Sequence, residues 1–378
     1  MTDRTPRLWL GAMGIASTLG SEPMVGWQWY QRLKARGPVT VFAASIFDHP
    51  DFLPPEARED MVFIDTGARG REHFTRHVIR NQLAWWRGVR AHLKAQAGPD
   101  DVLCIAVPAA IWTLPWVAGL PIARDRIFFG PLGVDWIPRS IRGSLWPGVR
   151  NLRTAVFFAL WRLLAPALPR HLSLRAPFPG FGRLVGPRFD LLATVPDFMP
   201  PLDAVRTRPR TGSDVLLLYD ARPRKRFGPS FAFASELARS RGVALHIVGA
   251  PDEVAAGLAR DYGATTRLVF SPRLERADFL RLLETQIATV VLLSSSEAAS
   301  VLLVEALLLG CEVFAHRIGG IQWLIAAAGS TSSQTWRGAE VVGFRWDAAA
   351  AARFAEGANA GFVRIVAAIE SALGDVAA

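Results

Sequence analysis

Apolar and polar residues alternate along the first half of the chain in blocks that predict a parallel sheet flanked by helices. Runs of β-branched and apolar residues without polar alternation are typical of strands buried on both faces. Helical periodicity follows Ser21, an N-cap candidate, to about Ala35, and it returns at 73–95. The predicted strands are residues 7–12, 39–44, 61–66, 101–107, 126–132 and 189–195.

The second half repeats this alternation more regularly. A Pro-rich polar stretch, residues 197–213, predicts a linker between the halves. The predicted strands are 214–220, 244–250, 267–271, 289–295 and 312–316, and the predicted helices are 229–240, 251–262, 276–285, a helix after Ser296 and a final Ala-rich helix. The pattern therefore predicts an α/β protein with lobes 1–196 and 214–378 and a cleft between them, where ligands bind at the carboxyl ends of parallel strands.

Residues 139–188 interrupt the pattern of the first lobe, because they are rich in Pro, Arg and aromatic residues. They include the apolar segment 154–168, which is too short to span a bilayer and contains Arg162. Two interpretations stay open. The segment is either a core helix, or a helix lying in a membrane interface with Arg150, Arg153, Arg162 and Arg170 beside the lipid headgroups.

Composition narrows the classes of function. With 378 residues, 51% hydrophobic and 20% charged, the chain is long enough for two globular domains. The net charge of +10 comes almost entirely from arginine and shows no nucleic-acid module, although a basic surface favours anionic lipids and phosphorylated substrates. Cys104 and Cys311 lie far apart in apolar segments, so we expect reduced core cysteines, no metal site and a cytoplasmic protein.

The most informative chemistry lies in the stretch SSSEAASVLLVEALLLGCEVFAHRIGG, residues 294–320. Glu297 follows a predicted buried strand, and Glu305 lies in a helix that is apolar on nearly every other side. A carboxylate is costly to bury unless it is paired or hydrogen-bonded. We therefore expect Glu305 to face a cleft, where it can accept hydrogen bonds from ligand hydroxyls.

This stretch resembles the acid-x7-acid signature of glycosyltransferase family 4, retaining nucleotide-sugar enzymes of the GT-B fold with two Rossmann-like lobes. The resemblance implies that Glu297 is the catalytic residue near the donor sugar, where it helps to stabilise oxocarbenium-like charge, and that Glu305 bonds the ribose. It also implies that Gly310 and Gly319–Gly320 let the backbone approach the nucleotide. The absence of an Asp-x-Asp motif agrees with a metal-independent enzyme of this fold.

Three further segments carry weaker resemblances. GIASTLGSEPMVGW, residues 14–27, resembles the family's first Gly-rich loop, and FFGPLGVDWIP, residues 128–138, resembles a subgroup of bacterial polysaccharide-assembly transferases. Gly20 and Ser21 would then close the phosphate side of the site. In DARPRKRF, residues 220–227, Arg222 and Lys225 are the nearest matches to the family's diphosphate-binding Arg and Lys.

The spacing in this last segment is shorter than in the family, so Arg224 or Arg226 could take one of the two roles, and a solvated basic turn is the alternative. The chain also departs from the family after the strand at 101–107. The histidine often found there is absent, and Cys104 or its neighbours stand in its place. His316 precedes Gly319–Gly320, where it could face the cleft, cap a helix or lie at the surface.

The resemblance implies a hexosyltransferase-type glycosyltransferase that moves a sugar from a nucleotide-sugar donor to a lipid-linked or polysaccharide acceptor. It would need no cofactor, because the nucleotide-sugar is a substrate. We expect it at the inner face of the cell membrane, with an anionic membrane surface as a further candidate partner. Two alternatives stay open: a GT-B sugar-nucleotide epimerase, and a non-catalytic binding or scaffold protein that kept the fold.

Overall fold

The chain forms two compact units. The computed structural model describes residues 4–18, 22–107, 112–132, 147–176, 181–195, 212–295, 297 and 300–374. The first unit comprises Met1–Gly133, Arg153–Met199 and Ala358–Ala378, and the second comprises Val134–Leu152 and Pro200–Gly357. Residues 358–378, which were expected in the second lobe, 214–378, therefore belong to the first unit. The expected linker lies outside the described residues, apart from Gly212 and Ser213.

The first unit is built on a seven-stranded sheet in which every neighbouring pair of strands is parallel. Its order is β3-β2-β1-β4-β5-β6-β7. Six of the strands were predicted, and the seventh, β6, lies inside the segment 139–188. The strands are β1 Leu8–Gly11, β2 Val39–Ala44, β3 Met61–Ile64, β4 Val102–Ile105, β5 Ile127–Leu132, β6 His171–Leu174 and β7 Asp190–Thr194.

Seven helices precede or connect these strands. The single helix predicted at 73–95 is divided at His77, whose backbone leaves the helical region at φ −111° and ψ 38°. The helix predicted at 154–168 runs instead from Pro147 to Leu164. The helices are α1 Glu22–Lys34, α2 Pro55–Arg58, α3 Arg71–Arg76, α4 Val78–Gln96, α5 Leu114–Ala118, α6 Pro147–Leu164 and α7 Phe181–Val185.

The second unit has its own seven-stranded sheet, in the order β10-β9-β8-β11-β12-β14-β13. The first five strands of this order are parallel, and β14 runs antiparallel to both β12 and β13. The parallel strands were predicted, whereas the hairpin of β13 and β14 was not. The strands are β8 Asp214–Leu218, β9 Leu245–Val248, β10 Leu268–Ser271, β11 Ile287–Leu292, β12 Glu312–Ala315, β13 Ser330–Trp336 and β14 Ala339–Arg345.

The helices of the second unit lie between successive strands, as its alternating sequence predicts. The last helix, α13, begins in the second unit and continues into the first. The helices are α8 Phe227–Arg241, α9 Asp252–Tyr262, α10 Arg276–Thr285, α11 Val301–Leu308, α12 Ile321–Ala326 and α13 Ala348–Gly374. The predicted two Rossmann-like units are therefore present.

A buried carboxylate fixes the start of the first sheet. Asp101 lies immediately before β4 and is buried. Its Oδ2 accepts a hydrogen bond from Trp9 Nε1 at 2.8 Å, and its Oδ1 accepts one from the backbone N–H of Arg7 at 3.0 Å. Oδ2 also accepts from the N–H of Gly98 at 3.1 Å. Asp101 thus joins the entries to β1 and β4 and satisfies the polar edge of a buried indole.

We expect Asp101→Ala to lower the free energy of unfolding by about 2–4 kcal/mol, because it leaves a buried indole N–H and two backbone N–H groups without acceptors. Denaturant titration followed by tryptophan fluorescence measures this loss. Asp100→Ala is the matched control, since Asp100 is exposed and lies 3.7 Å from Arg126. It should change stability by no more than about 0.5 kcal/mol. Equal losses in both variants would contradict the assignment.

Candidate functional site

The centre of the candidate site is an ion pair between Lys225, which the resemblance assigned to the diphosphate, and Glu297, which it assigned to the catalytic position at the donor sugar. Lys225 ends a short 3-10 turn after β8, and Glu297 follows β11. Strands β8 and β11 are parallel neighbours, so their carboxyl ends meet at one edge of the sheet. Lys225 Nζ contacts Glu297 Oε1, and the side chains are only 16% and 7% exposed. Two opposite charges are thus largely removed from water.

Backbone hydrogen bonds hold the two partners in place. The N–H of Ser295 donates to Arg224 O at 2.8 Å, which ties the β11 loop to the basic turn. The N–H of Gly320 donates to Glu297 O at 3.1 Å. A Cβ on Gly319 would lie 2.0 Å from Glu297 O, and its φ is +43°, so no side chain fits there. The Gly-Gly step thereby fixes the backbone of Glu297.

A second cation, Arg226, is aimed by a neutral histidine. Arg226 is the N-cap of α8 and has the left-handed φ of 50°. Its Nη1 lies 3.0 Å from Nε2 of His316, while His316 Nδ1 lies 2.8 Å from the carbonyl oxygen of Glu340. The carbonyl only accepts, so Nδ1 donates and Nε2 accepts from Arg226. Burial and the charge of Arg226 lower the pKa of His316, so the ring is neutral at pH 7. His316 is therefore a buried orienting group.

Arg222 is held by its neighbour Asp220. Arg222 Nε donates to Asp220 Oδ1 at 2.8 Å, and the arginine is exposed. Burial alone would raise the pKa of Asp220. The hydrogen bonds from Arg222, together with the charges of Arg222 and Lys225, outweigh burial and hold that pKa below its usual range. Asp220 is therefore ionised and competes with any incoming anion for Arg222.

Glu305, the second acid of the signature, is buried in α11 and pairs with Arg276. Arg276 Nη1 lies 2.5 Å from Glu305 Oε1, although no hydrogen bond of ordinary geometry reaches that oxygen within the described residues. Burial raises the pKa of Glu305, while the charge of Arg276 acts in the opposite direction. Arg276 begins α10, the helix that follows β10. The pairing supplies the partner that a carboxylate in an apolar helix requires.

Sequence reasoning missed Asp220, Arg276 and the contact of Arg226 with His316. All of these residues lie after a parallel strand or at the start of the next helix, which is the signal that could have identified them. The order of the strands in the sheet decides which charged groups of these loops contact each other. The alternation of strands and helices along the sequence does not give that order.

Among the described residues, one predicted position, Gly310, is not brought together with this cluster. Gly310 follows α11 and precedes β12, so it lies at the edge of the sheet opposite Glu297. Its φ of 75° is the left-handed conformation in which glycine commonly ends a helix. Gly20 and Ser21 lie outside the described residues.

Cys104, at the position considered for the missing histidine, is a core residue. It lies within β4 and is buried, and burial raises the pKa of its thiol. A neutral buried thiol can neither accept a proton at pH 7 nor carry a charge. Among the described residues, no cluster of three or more His, Cys, Asp or Glu side chains could hold a metal ion.

Helix α6, which contains most of the segment 154–168, has one buried face and one exposed apolar face. Trp161 is fully buried and stacks with Phe129 of β5 at 6.2 Å, so one face belongs to the core. The other face exposes Leu152, Val156 and Leu163. Of the arginines predicted to lie beside headgroups, Arg162 donates to Arg183 O at 2.9 Å and Arg170 pairs with Asp190. The side chains of Arg150 and Arg153 lie outside the described part.

No helix in the described part of the chain is both long enough and apolar enough to cross a bilayer. Comparison by sequence finds nothing, since no protein-family model matches the chain and no curated protein gives a significant match.

Comparison by structure finds solved proteins that match nearly the whole chain. Sucrose-phosphate synthase from Thermosynechococcus elongatus is 15% identical with a TM-score of 0.55, covering 99% of this chain and 98% of the other. WaaG, a glycosyltransferase involved in lipopolysaccharide biosynthesis, is 15% identical with a TM-score of 0.53, covering 97% and 94%. The UDP-forming α,α-trehalose-phosphate synthase from Burkholderia vietnamiensis is 13% identical with a TM-score of 0.52, covering 99% and 96%.

These similarities extend over whole chains at low identity. They confirm the fold that the resemblance of residues 294–320 predicted, and the chain has the GT-B fold of two Rossmann-like units.

Proposed function

We propose that the second unit binds the diphosphate of a nucleotide-sugar donor and that the protein is a hexosyltransferase-type glycosyltransferase. The observation that carries this proposal is the buried ion pair of Lys225 and Glu297 at the adjacent ends of β8 and β11. Removing two charges from water costs several kcal/mol per ion, and well-packed apolar residues often stabilise such a site better. An enclosed ion pair in this position therefore has a reason other than stability.

In the proposed reaction the bond between the anomeric carbon and the diphosphate oxygen breaks, and its electron pair stays on the diphosphate. The acceptor hydroxyl oxygen forms the new bond to the anomeric carbon, and its proton passes to the departing diphosphate oxygen. Lys225 and Arg226 stabilise the negative charge of the leaving diphosphate, with Arg222 as a third, more exposed cation. Preoriented cations of this kind lower the barrier because they need no rearrangement when the charge develops.

The two acids take different roles in this proposal. Glu297 is released from Lys225 as the diphosphate engages the lysine, and its carboxylate then stabilises the positive charge that develops on the sugar ring. Glu305 accepts hydrogen bonds from the ribose hydroxyls, and the charge of Arg276 favours its ionised form against the effect of burial. Basic side chains would neutralise the diphosphate without a metal ion, and we propose that the sugar keeps its anomeric configuration.

Two of the structurally similar proteins support the choice of substrates. The trehalose-phosphate synthase is UDP-forming, and WaaG acts in lipopolysaccharide biosynthesis. We propose a uridine or guanosine diphosphate sugar as donor and a lipid-linked or polysaccharide acceptor for this chain.

The exposed face of α6 supports a location at the inner membrane surface. Leu152, Val156 and Leu163 follow the spacing of one helical face, and the described part of the helix contains no acidic residue. An apolar stripe on an arginine-bearing helix suits the interface of an anionic bilayer.

The donor site is tested by calorimetric titration with UDP, GDP and their sugar conjugates. We expect Lys225→Met to weaken binding of the preferred nucleotide at least about tenfold, because it loses a charge-assisted hydrogen bond. Glu297→Gln should bind the nucleotide at least as tightly as the unmodified protein, because Lys225 loses its competing partner, but it should transfer no sugar. Glu305→Gln should weaken nucleosides and nucleotides alike.

Arg239→Met is the matched control, since Arg239 is an exposed cation near the far end of α8. It should leave both binding and transfer unchanged. If no nucleotide binds to the unmodified protein, or if Lys225→Met and Arg239→Met behave alike, the transferase proposal is wrong. A scaffold protein with this fold would then be the better interpretation.

The membrane location is tested by co-sedimentation with vesicles that contain phosphatidylglycerol. We expect Val156→Glu and Leu163→Glu each to reduce vesicle binding about tenfold, because each places a charge on an apolar face. Tyr262→Glu, at an exposed position of the second unit, is the control and should bind as the unmodified protein does. Unchanged binding by both α6 variants would refute the membrane role of this face.

A further inference from the structure

The first unit contains an open cavity of about 840 Å³ beside the loop after β3 and the first turns of α4. Asp65, Thr66 and Gly67 form one side, and residues of α4 from Val78 to Arg87 form the other. None of the residues that line the cavity belongs to the proposed donor site.

Three arginines give the cavity an excess of positive charge. Arg76, Arg80 and Arg87 line it, and Asp65 is the one acidic residue that does so among the residues whose side chains are described. Arg80 and Arg87 are exposed, and neither lies within ion-pair distance of a described carboxylate. The cavity also contains the amino end of α4, where the helix dipole is positive and no acidic residue occupies the first turn. These charges favour an anion.

A buried hydroxyl without a partner points to a ligand in the same place. Thr66 lines the cavity and is 3% exposed, and its Oγ1 finds no hydrogen-bond partner among the described residues. Buried polar groups are nearly always hydrogen-bonded, and an unsatisfied one costs about 1–3 kcal/mol. A ligand oxygen reaching the cavity wall would remove that cost.

The remaining wall is apolar and faces solvent. Val78 and Ile79 are 41% and 47% exposed, and Leu83 lies one turn further along α4. These residues are next to the arginines in sequence and share the cavity with them. Aliphatic side chains beside cations complement a molecule that carries a phosphate on a hydrocarbon chain.

We propose that this cavity binds a lipid phosphate. The phosphate lies against Arg80, Arg87 and the amino end of α4, and the hydrocarbon chain covers Val78, Ile79 and Leu83. The site is independent of the donor chemistry and does not require the exposed face of α6.

The experiment uses single-chain amphiphiles as monomers, so that no bilayer is present and α6 has nothing to dock on. Calorimetric titration compares dodecyl phosphate, dodecyl maltoside and inorganic phosphate, each below its micelle-forming concentration where it has one. The first has charge and chain, the second has the chain without the charge, and the third has the charge without the chain. We expect dodecyl phosphate to bind at least about tenfold more tightly than either of the others.

Variants then locate the site. Arg80→Ala and Arg87→Ala should each weaken the binding of dodecyl phosphate about tenfold. Lys94→Ala should leave this binding unchanged, since Lys94 is an exposed cation on the same helix. Val78→Ser with Ile79→Ser should weaken dodecyl phosphate severalfold without affecting inorganic phosphate. Val363→Ser, at an exposed apolar position of the same unit, is the control for these substitutions.

Thr66→Val separates binding from folding. It removes a buried hydroxyl without changing the shape of the side chain, so the melting temperature should stay the same or rise. Affinity for dodecyl phosphate should fall severalfold. Glu297→Gln should leave this affinity unchanged, so failure of the donor site does not affect the result. Equal binding of dodecyl phosphate and dodecyl maltoside, or unchanged affinity in the arginine variants, would overturn the proposal.

Discussion

Lys225 and Glu297 can be buried together only because each neutralises the other, and both positions depend on the order of the strands. Strands β8 and β11 are far apart in sequence but adjacent in the sheet. Their parallel direction brings the loops that follow them to one edge. Neither side chain would be stable alone in this place, since removing one partner leaves an uncompensated buried charge that typically costs 3–5 kcal/mol. The architecture of the second sheet and its proposed chemistry therefore share one constraint.

The basic turn between β8 and α8 shows how that constraint is met locally. Arg222 pairs with Asp220, Lys225 pairs with Glu297, and Arg226 donates to the neutral ring of His316. Each of these three cations thus has a different partner. The left-handed backbone of Arg226 is the local distortion that aims its side chain while α8 begins at the next residue.

The sequence predicted most of this fold because its parallel strands are buried on both faces and are therefore apolar without alternation. It failed where that signal is absent. Strand β13, STSSQTW, is polar and mostly exposed, and β6, HLSL, is only four residues long within a segment dominated by Pro and Arg. The break at His77 has no Pro or Gly to mark it. The strands β6 and β13 are specified by their neighbours in the sheet and not by their own residues.

The charged residues of the candidate site could be predicted from the sequence, whereas their partners could not. Glu297, Glu305 and Lys225 stand out because charged residues are unusual next to buried apolar segments. Their partners do not stand out, because Arg276 is one arginine among many in this chain and Asp220 is an ordinary residue at the end of a strand. The order of the strands decides which charged residues meet. The sequence therefore predicted the charged residues but not their partners.

The two anion sites proposed for this protein differ in whether their cations pair with carboxylates of the described residues. At the donor site Lys225 and Arg222 already have carboxylate partners, so an incoming diphosphate must displace them. Only a ligand with enough negative charge to replace those carboxylates binds favourably, which favours a diphosphate over a monophosphate. Arg80 and Arg87 are exposed, and no carboxylate among the described residues pairs with either of them. A phosphate monoester suffices there, but its attraction is screened by salt, so the apolar wall must supply the rest of the affinity.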